Sequence, residues 1–283
     1  MTKTHCVALL VAMMLVGSMS SFAQAAQTQD TTPSAEDTPT QTAPSHSTQY
    51  LGLGLAVGYY QVRDHTLPNP HLHQAPIIGL AVDYELESGP ARYSVHFGGG
   101  YSRLADAYDL SAMGAVARLR LEAITLMDHY GQRKQWALYA GAFLRDYVDL
   151  AMYPFIDDGH IYWINAIGFG PTVSLEKEVW DNARARLQFR APVVAMVSRP
   201  PAERFYNNDK DKAGYISDKL FENMELRTID EHLSLEGEAS VRMALAGGYF
   251  QTLGYRLYYT SDSSPAQTHI LSHTIFLRLG GQW

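Results

Sequence analysis

From Gln49 to the C-terminus the chain sets large apolar residues at every second position, in one segment after another. "YLGLGLAVGYY" puts Leu51, Leu53, Leu55, Val57 and Tyr59 on one face of an extended strand, with Gly52, Gly54, Ala56 and Gly58 on the other. "IIGLAVDYEL", "RYSVHFGGGYS", "AVARLRLEAIT" and "LSLEGEASVRMAL" repeat the pattern, and "HTIFLRLGGQW" closes the chain with it. An amphipathic helix needs spacings of three and four. A strict period of two dictates strands with one apolar face. The fold class is therefore all-β.

Two architectures accept such strands: a soluble sandwich, apolar face inward, or a membrane barrel, apolar face outward. The second face decides between them. It is rich in Gly, Ala and Ser, yet it carries Arg118, Arg120, Arg186, Arg190, Arg242, Arg256 and Arg278, with Asp83, Glu85, Glu122, Glu236 and Glu238. Such a face suits a narrow polar lumen. The connectors agree. Those at 64–75, 103–112, 148–159, 199–231 and 261–267 are mostly long. Those at 87–90, 128–134, 178–183 and 246–248 are shorter. Short turns at one end and long loops at the other mark an outer-membrane barrel, and an even strand number returns both termini to the periplasmic side. The expectation is an antiparallel up-and-down transmembrane β-barrel of about ten strands over 49–283, with eight or twelve as alternatives. Tyr50, Tyr59, Tyr84, Tyr93, Tyr101, Trp136, Trp163, Tyr259 and Trp283 fall near strand ends, as interfacial girdles require.

The N-terminal residues read as export and tether. Lys3 precedes the apolar run Val7–Val16, and Ala23-Gln24-Ala25 is an A-x-A cleavage site, so residues 1–25 read as a signal peptide. Cys6 lies within it, which leaves no thiol chemistry for the exported chain. Residues 26–48 hold Thr, Pro, Ser, Gln and acids, with nothing to bury, and read as a disordered periplasmic tail. A formal net charge of −7 argues against nucleic acid as a partner. The expected location is the outer membrane of a Gram-negative bacterium, with its lipids as the surroundings and a monomer as the working state.

The terminal segment carries a resemblance. Ile275, Leu277 and Leu279 alternate ahead of a terminal Trp283, with Gly281 in a position where a bulkier residue is usual. This resembles the assembly signal of bacterial outer-membrane barrels, and the resemblance implies insertion by the barrel-assembly machinery.

Candidate sites follow from the strand directions. The lumen charges read first as a structural plug, since an unpaired buried charge is costly, and second as a selectivity ring for small anions. Asp230 and His232 form an Asp-x-His pair at the outer end of a strand, which resembles the omptin surface proteases. Those need a second acidic pair at the same rim. The D-x-E pair of this chain, Asp83 with Glu85, falls at the periplasmic end. His65, His71 and His73 in the first outer loop are candidate metal ligands, with Asp64 as the acid beside them. No pattern asks for a cofactor. "ISDKLFENMELR" reads as a short amphipathic helix inside loop 199–231, with Leu220, Phe221, Met224 and Leu226 as its apolar set. That loop is the expected seat of an extracellular ligand. The functional expectation is a non-enzymatic surface barrel, ahead of a narrow anion-preferring channel and an omptin-like protease.

Overall fold

The computed structural model describes residues 47–65, 73–105, 111–131, 135–153, 160–200, 220–221 and 224–283. The expected signal peptide, the expected tail up to His46, His71 and the polar tip of the longest loop lie outside these residues. The strands are β1 (Ser47–Asp64), β2 (His73–Ser88), β3 (Ala91–Ala105), β4 (Ser111–Tyr130), β5 (Trp136–Tyr153), β6 (His160–Trp180), β7 (Ala183–Arg190), β8 (Val194–Ser198), β9 (Glu225–Thr228), β10 (His232–Ala244), β11 (Tyr249–Asp262) and β12 (Thr268–Gln282). The hydrogen-bonded order runs β5-β4-β3-β2-β1-β12-β11-β10-β7-β6-β8-β9, and β5 also pairs with β6, so the sheet closes on itself.

Twelve segments build ten staves. β7 and β8 are two halves of one stave, both antiparallel to β6. They part at Ala191–Val193, where Pro192 has no N–H to give the ladder. β9 and β10 are halves of another. β9 pairs with β8, β10 pairs with β7 and β11, and the turn 229–231 interrupts them. β1 meets β12 in continuous antiparallel register from Tyr50↔Gln282 to Asp64↔Thr268, so the first and last strands cover each other's edges. Trp283 extends this closure. It exchanges two backbone bonds with Gln49, at 2.9 and 3.1 Å, and its indole Nε1 donates to Gln49 Oε1 at 3.2 Å.

The turns gather at one rim. Gly89-Pro90 joins β2 to β3, Asp181-Asn182 joins β6 to β7, and Leu245–Gly248 joins β10 to β11. The last of these needs its glycines, because Gly247 and Gly248 both hold positive φ, at 76° and 75°. The connectors of the other, loop rim are longer.

The exterior is a belt of apolar side chains. Leu53 is 63% exposed, Ile78 66% and Ile275 55%. Leu277 and Leu279 of the terminal segment face outward in the same belt. Each such side chain forgoes about 1.5–3 kcal/mol when left in water, so the belt as a whole is stable only against hydrocarbon. Tyr93, Tyr130, Trp180, Tyr249 and Trp283 ring the turn end, and Tyr101 and Tyr255 stand toward the loop end. No helix among the described residues is long and apolar enough to cross a membrane; this chain crosses with strands.

Four expectations need correction. Ser47 and Thr48, assigned to the tail, already pair with Ser88 and Glu87 in the β1–β2 ladder. Trp163 is no girdle residue. It is only 5% exposed, on a stretch of β6 where Asn165 Nδ2 donates to Leu220 O at 2.9 Å. The amphipathic helix fails over Glu225–Arg227, since these residues form β9 against β8. Arg227 reaches an ionic partner across the mouth, and Leu226 points to the exterior. Loop 199–231 therefore ends its free run before Glu225.

Candidate functional site

Inward-pointing residues fill the barrel in layers, and the filling is lopsided. β1, β2 and β3 offer the lumen Gly52, Gly54, Ala56, Gly58, Gly79, Ala81, Gly98 and Gly100, almost bare backbone. Long side chains from neighbouring and facing staves occupy the space that this leaves. Paired neighbours already come close: a Cβ on Gly54 would sit 2.9 Å from Cγ of its ladder partner Arg278, and on β11 one on Gly254 would sit 2.3 Å from the ring of its partner Phe276.

Nearest the turn rim, Glu85 is gripped by two guanidinium forks. Arg186 donates at 2.9 and 3.1 Å, and Arg242 at 3.0 and 3.2 Å. Arg186 Nε also donates to Glu176 at 2.5 Å. Glu176 accepts from Arg92 too, and Arg92 Nε lies 3.0 Å from Glu87. Arg242 stacks over Tyr50 at 4.5 Å, and Arg92 over Tyr139 at 4.3 Å.

At mid-height Glu236 is the hub. Arg120 and Arg190 donate to it at 2.5 and 2.9 Å, and Arg145 and Arg256 approach at 3.6 and 3.7 Å. Glu122 takes Arg190 Nε at 2.5 Å and the amide of Gln188. Glu238 takes Arg256 at 2.8 and 3.0 Å, with Arg278 at 3.5 Å. Asp83 lies 2.9 Å from Arg278 and 2.6 Å from His96 Nδ1. Charge-assisted bonds of this density hold one another in place, and each charge is buried only because its partner is.

Above lies a layer of tyrosines. Tyr60 and Tyr147 both donate to Asp149 Oδ2, the latter at 3.0 Å, and the rings of Tyr147 and Tyr258 pack at a tilt of 43° with centroids 4.7 Å apart. Thr260 donates to Tyr258 at 2.8 Å, and Arg145 donates to Ser234 at 2.7 Å. Val62, Leu104, Ile164 and Ile270 pack around this layer without measurable exposure beyond 1%. Among the described residues, cavities of about 40 and 60 Å³ lie within this filling.

The loop-rim mouth, beyond the apolar belt, centres on Asp262. It accepts from Arg199 at 3.2 Å, from Arg227, and from His232 Nδ1 at 2.9 Å. Arg199 also reaches Asp64 at 3.2 Å and the carbonyls of Ser264 and Ala266 at 3.0 and 2.6 Å. Burial pushes the Asp262 carboxyl up, but the His232 bond and the two guanidiniums outweigh it and hold it below the ordinary carboxylate value. Arg199 leaves β8 and Arg227 sits in β9, so both ends of the long loop are tied to the β11–β12 hairpin.

The Asp-x-His pair does not assemble. On an unbroken strand residues two apart share a face, but the turn 229–231 breaks the strand between them. Asp230 turns to solvent, where the Thr228 hydroxyl binds it and lowers its pKa. His232 is 2% exposed, faces inward and takes Asp262 in place of Asp230. Asp83 and Glu85 are held in the mid-height and turn-rim ion-pair layers. His65 is exposed at the end of β1, His73 is buried at the start of β2, and no cluster of three potential metal ligands occurs among the described residues.

Of the lumen residues singled out in the sequence, eleven enter the ion-pair layers; Arg118 stands apart from them. Sequence reading missed Arg92, Arg145, Glu176 and Asp149, which share their strand faces with residues it did place. Applying the same parity along the whole of each strand would have found them. It also missed Arg199, Arg227 and Asp262, whose partnership joins segments far apart in the chain and leaves no local signal.

No protein-family model matches this chain, and no curated protein matches it. Among solved structures it is similar to the outer-membrane protease OmpT from Escherichia coli, with 9% identity, TM-score 0.46, and 87% of this chain and 99% of that one covered. It is also similar to Neisserial surface protein A, with 9% identity, TM-score 0.32, and 81% and 95% covered. The β domain of the Bordetella autotransporter BrkA aligns with 13% identity, TM-score 0.34, and 82% and 98% covered. At these values the likeness is one of barrel architecture and carries no chemistry with it. The closed ten-stave sheet, its apolar belt and its charged interior make this chain a bacterial outer-membrane β-barrel.

Proposed function

We propose that this barrel is a closed, non-conducting surface protein whose working face is the loop-rim mouth, where it binds an extracellular ligand or partner without chemical turnover. One observation carries the reading: the lumen is filled from the Glu85 clamp to the tyrosine layer, with interior spaces of about 40 and 60 Å³. A diffusion path for solutes needs a continuous water column, and paired charges and packed tyrosine rings occupy its place. The mouth, by contrast, has a platform. The Arg199–Asp262–Arg227 tie fixes both bases of the longest loop to the wall, so a surface formed by that loop is presented on a rigid frame. The absence of catalysis is supported by Asp262, which already carries three donors, and by Asp230, which is directed away from His232.

The test is electrical. Reconstituted in a planar bilayer, the native protein gives no stable conductance. Arg120→Ala together with Arg190→Ala, which strips Glu236 of its two shortest bonds, gives leakage or loss of the folded barrel. Stable, large conductance from the unaltered protein overturns the reading.

A further inference from the structure

The 60 Å³ cavity differs in kind from the rest of the lumen. Its polar lining is Arg118, Arg256, His96, Ser272 and Thr274, against a wall of Gly79 and Gly98–Gly100, and no carboxylate lines it. The 40 Å³ cavity is lined by both signs of charge, Asp83, Glu85, Glu122 and Glu238 included.

Arg118 sets the problem. Among the described residues it is the lumen arginine with neither an ion pair nor a hydrogen bond. Its guanidinium rests against the rings of Tyr147 and Tyr258, at 5.2 and 4.6 Å, and its Nε is buried without a partner. Stacking on two rings offsets part of the cost of removing a cation from water, but it supplies no acceptor for five N–H groups. The neighbouring acids make no hydrogen bond to it. Asp149 takes the hydroxyls of Tyr60 and Tyr147 on Oδ2 while its Oδ1 makes no hydrogen bond, and Glu238 takes Arg256 through both Nε and Nη2. His96 brings no second free cation. Its Nδ1 faces Asp83 and its Nε2 faces Arg256 Nη1 at 3.2 Å, an arrangement that assigns the proton to Nδ1 and leaves the ring neutral.

The charge count points the same way. Between the Glu85 clamp and the mouth, Arg118, Arg120, Arg145, Arg190, Arg256 and Arg278 face Asp83, Glu122, Asp149, Glu236 and Glu238: six cations against five anions. The mouth adds Arg199 and Arg227 against Asp64 and Asp262, and so leaves the excess unchanged. We propose that the cavity binds one small monovalent inorganic anion of the halide or nitrate class, held by Arg118 with Arg256 and the hydroxyls of Ser272 and Thr274. Its size suits the class. On the measure by which a single water needs about 10–15 Å³, the 60 Å³ here holds a few water-sized groups, which a halide or nitrate with a water fills. The ion is a resident counter-charge. This goes beyond the closed-barrel reading, which stands or falls on conductance alone.

The experiment compares the full chain refolded in detergent in sodium chloride, bromide, nitrate, gluconate or sulfate at matched ionic strength. The anion is present from refolding onward, so that access through the closed lumen does not limit binding. The expected result is a saturable rise in the thermal unfolding midpoint with chloride, bromide and nitrate that gluconate and sulfate do not produce. Arg118→Met loses that rise. Should Arg118→Met fail to fold, crystals grown from native protein refolded in bromide decide, with an anomalous peak expected beside Arg118. Equal midpoints in chloride and gluconate, an undiminished rise in Arg118→Met, or the absence of that peak overturns the proposal.

Discussion

Glu236→Gln is the sharpest probe of how the lumen is held. The substitution keeps the shape of the side chain and removes its charge. Glu236 is 2% exposed, and four guanidiniums address it, at 2.5, 2.9, 3.6 and 3.7 Å. Arg190 and Arg256 have other carboxylates, Glu122 and Glu238. Arg120 keeps only a 4.0 Å approach to Glu122, and Arg145 keeps no ion pair among the described residues. The loss therefore strands about two buried cations. Removing one partner of a buried pair costs about 3–5 kcal/mol, because the remaining charge stays out of water. We expect a loss in that range, read as the urea midpoint of the barrel in detergent micelles or lipid vesicles, and as a lower temperature for conversion from the compact to the extended form on an unboiled gel. The cause is then separable. Arg145→Met in the same chain removes one of the stranded cations and restores about 0.5–3 kcal/mol, the range of direct pairwise coupling. Asp230→Asn, a fully exposed control, leaves the midpoint where it was. A Glu236→Gln barrel within about 1 kcal/mol of native would refute the account, because buried pairing would then contribute no more than a surface contact does.

Deleting Trp283 removes two backbone bonds to Gln49 and the indole bond at the β1–β12 seam, so the fraction of chain inserted into membranes falls, as scored by heat-modifiable migration; unchanged insertion contradicts the role given to the terminal strand. Trypsin added to intact cells cuts at Lys210 or Lys212, between the Arg199 and Arg227 anchors, and the remaining staves stay folded; protection in cells with cleavage after lysis reverses the orientation. Asp262 has a folded pKa below its unfolded value, so its contribution is fully present above the ordinary carboxylate pKa of about 4 and is lost as pH falls through the folded value. Acid titration of protease sensitivity at the loop rim should therefore show an opening below that pH, and Asp262→Asn should show it already at neutral pH.

The sequence by itself determined the class of this molecule. Period-two alternation is a property of each strand alone, since side chains of an extended chain take opposite faces in turn. It gave the strands, the outward belt of Leu53, Ile78 and Ile275, the inward arginines and acids, and the closure on Trp283. It could not give the pairings. Glu85 meets Arg186 and Arg242 from staves remote in the chain, and register across a closed sheet sets those meetings. The Asp-x-His motif shows the limit most clearly. Two residues apart on a strand are neighbours, yet one local turn at 229–231 sent Asp230 to solvent and gave His232 to Asp262, thirty positions away. Parity along a strand is local and legible in sequence. Which charge neutralises which is a property of the closed barrel, because in a narrow lumen a buried charge meets only the partners that the staves bring to its level, and Arg118 is brought to none among the described residues.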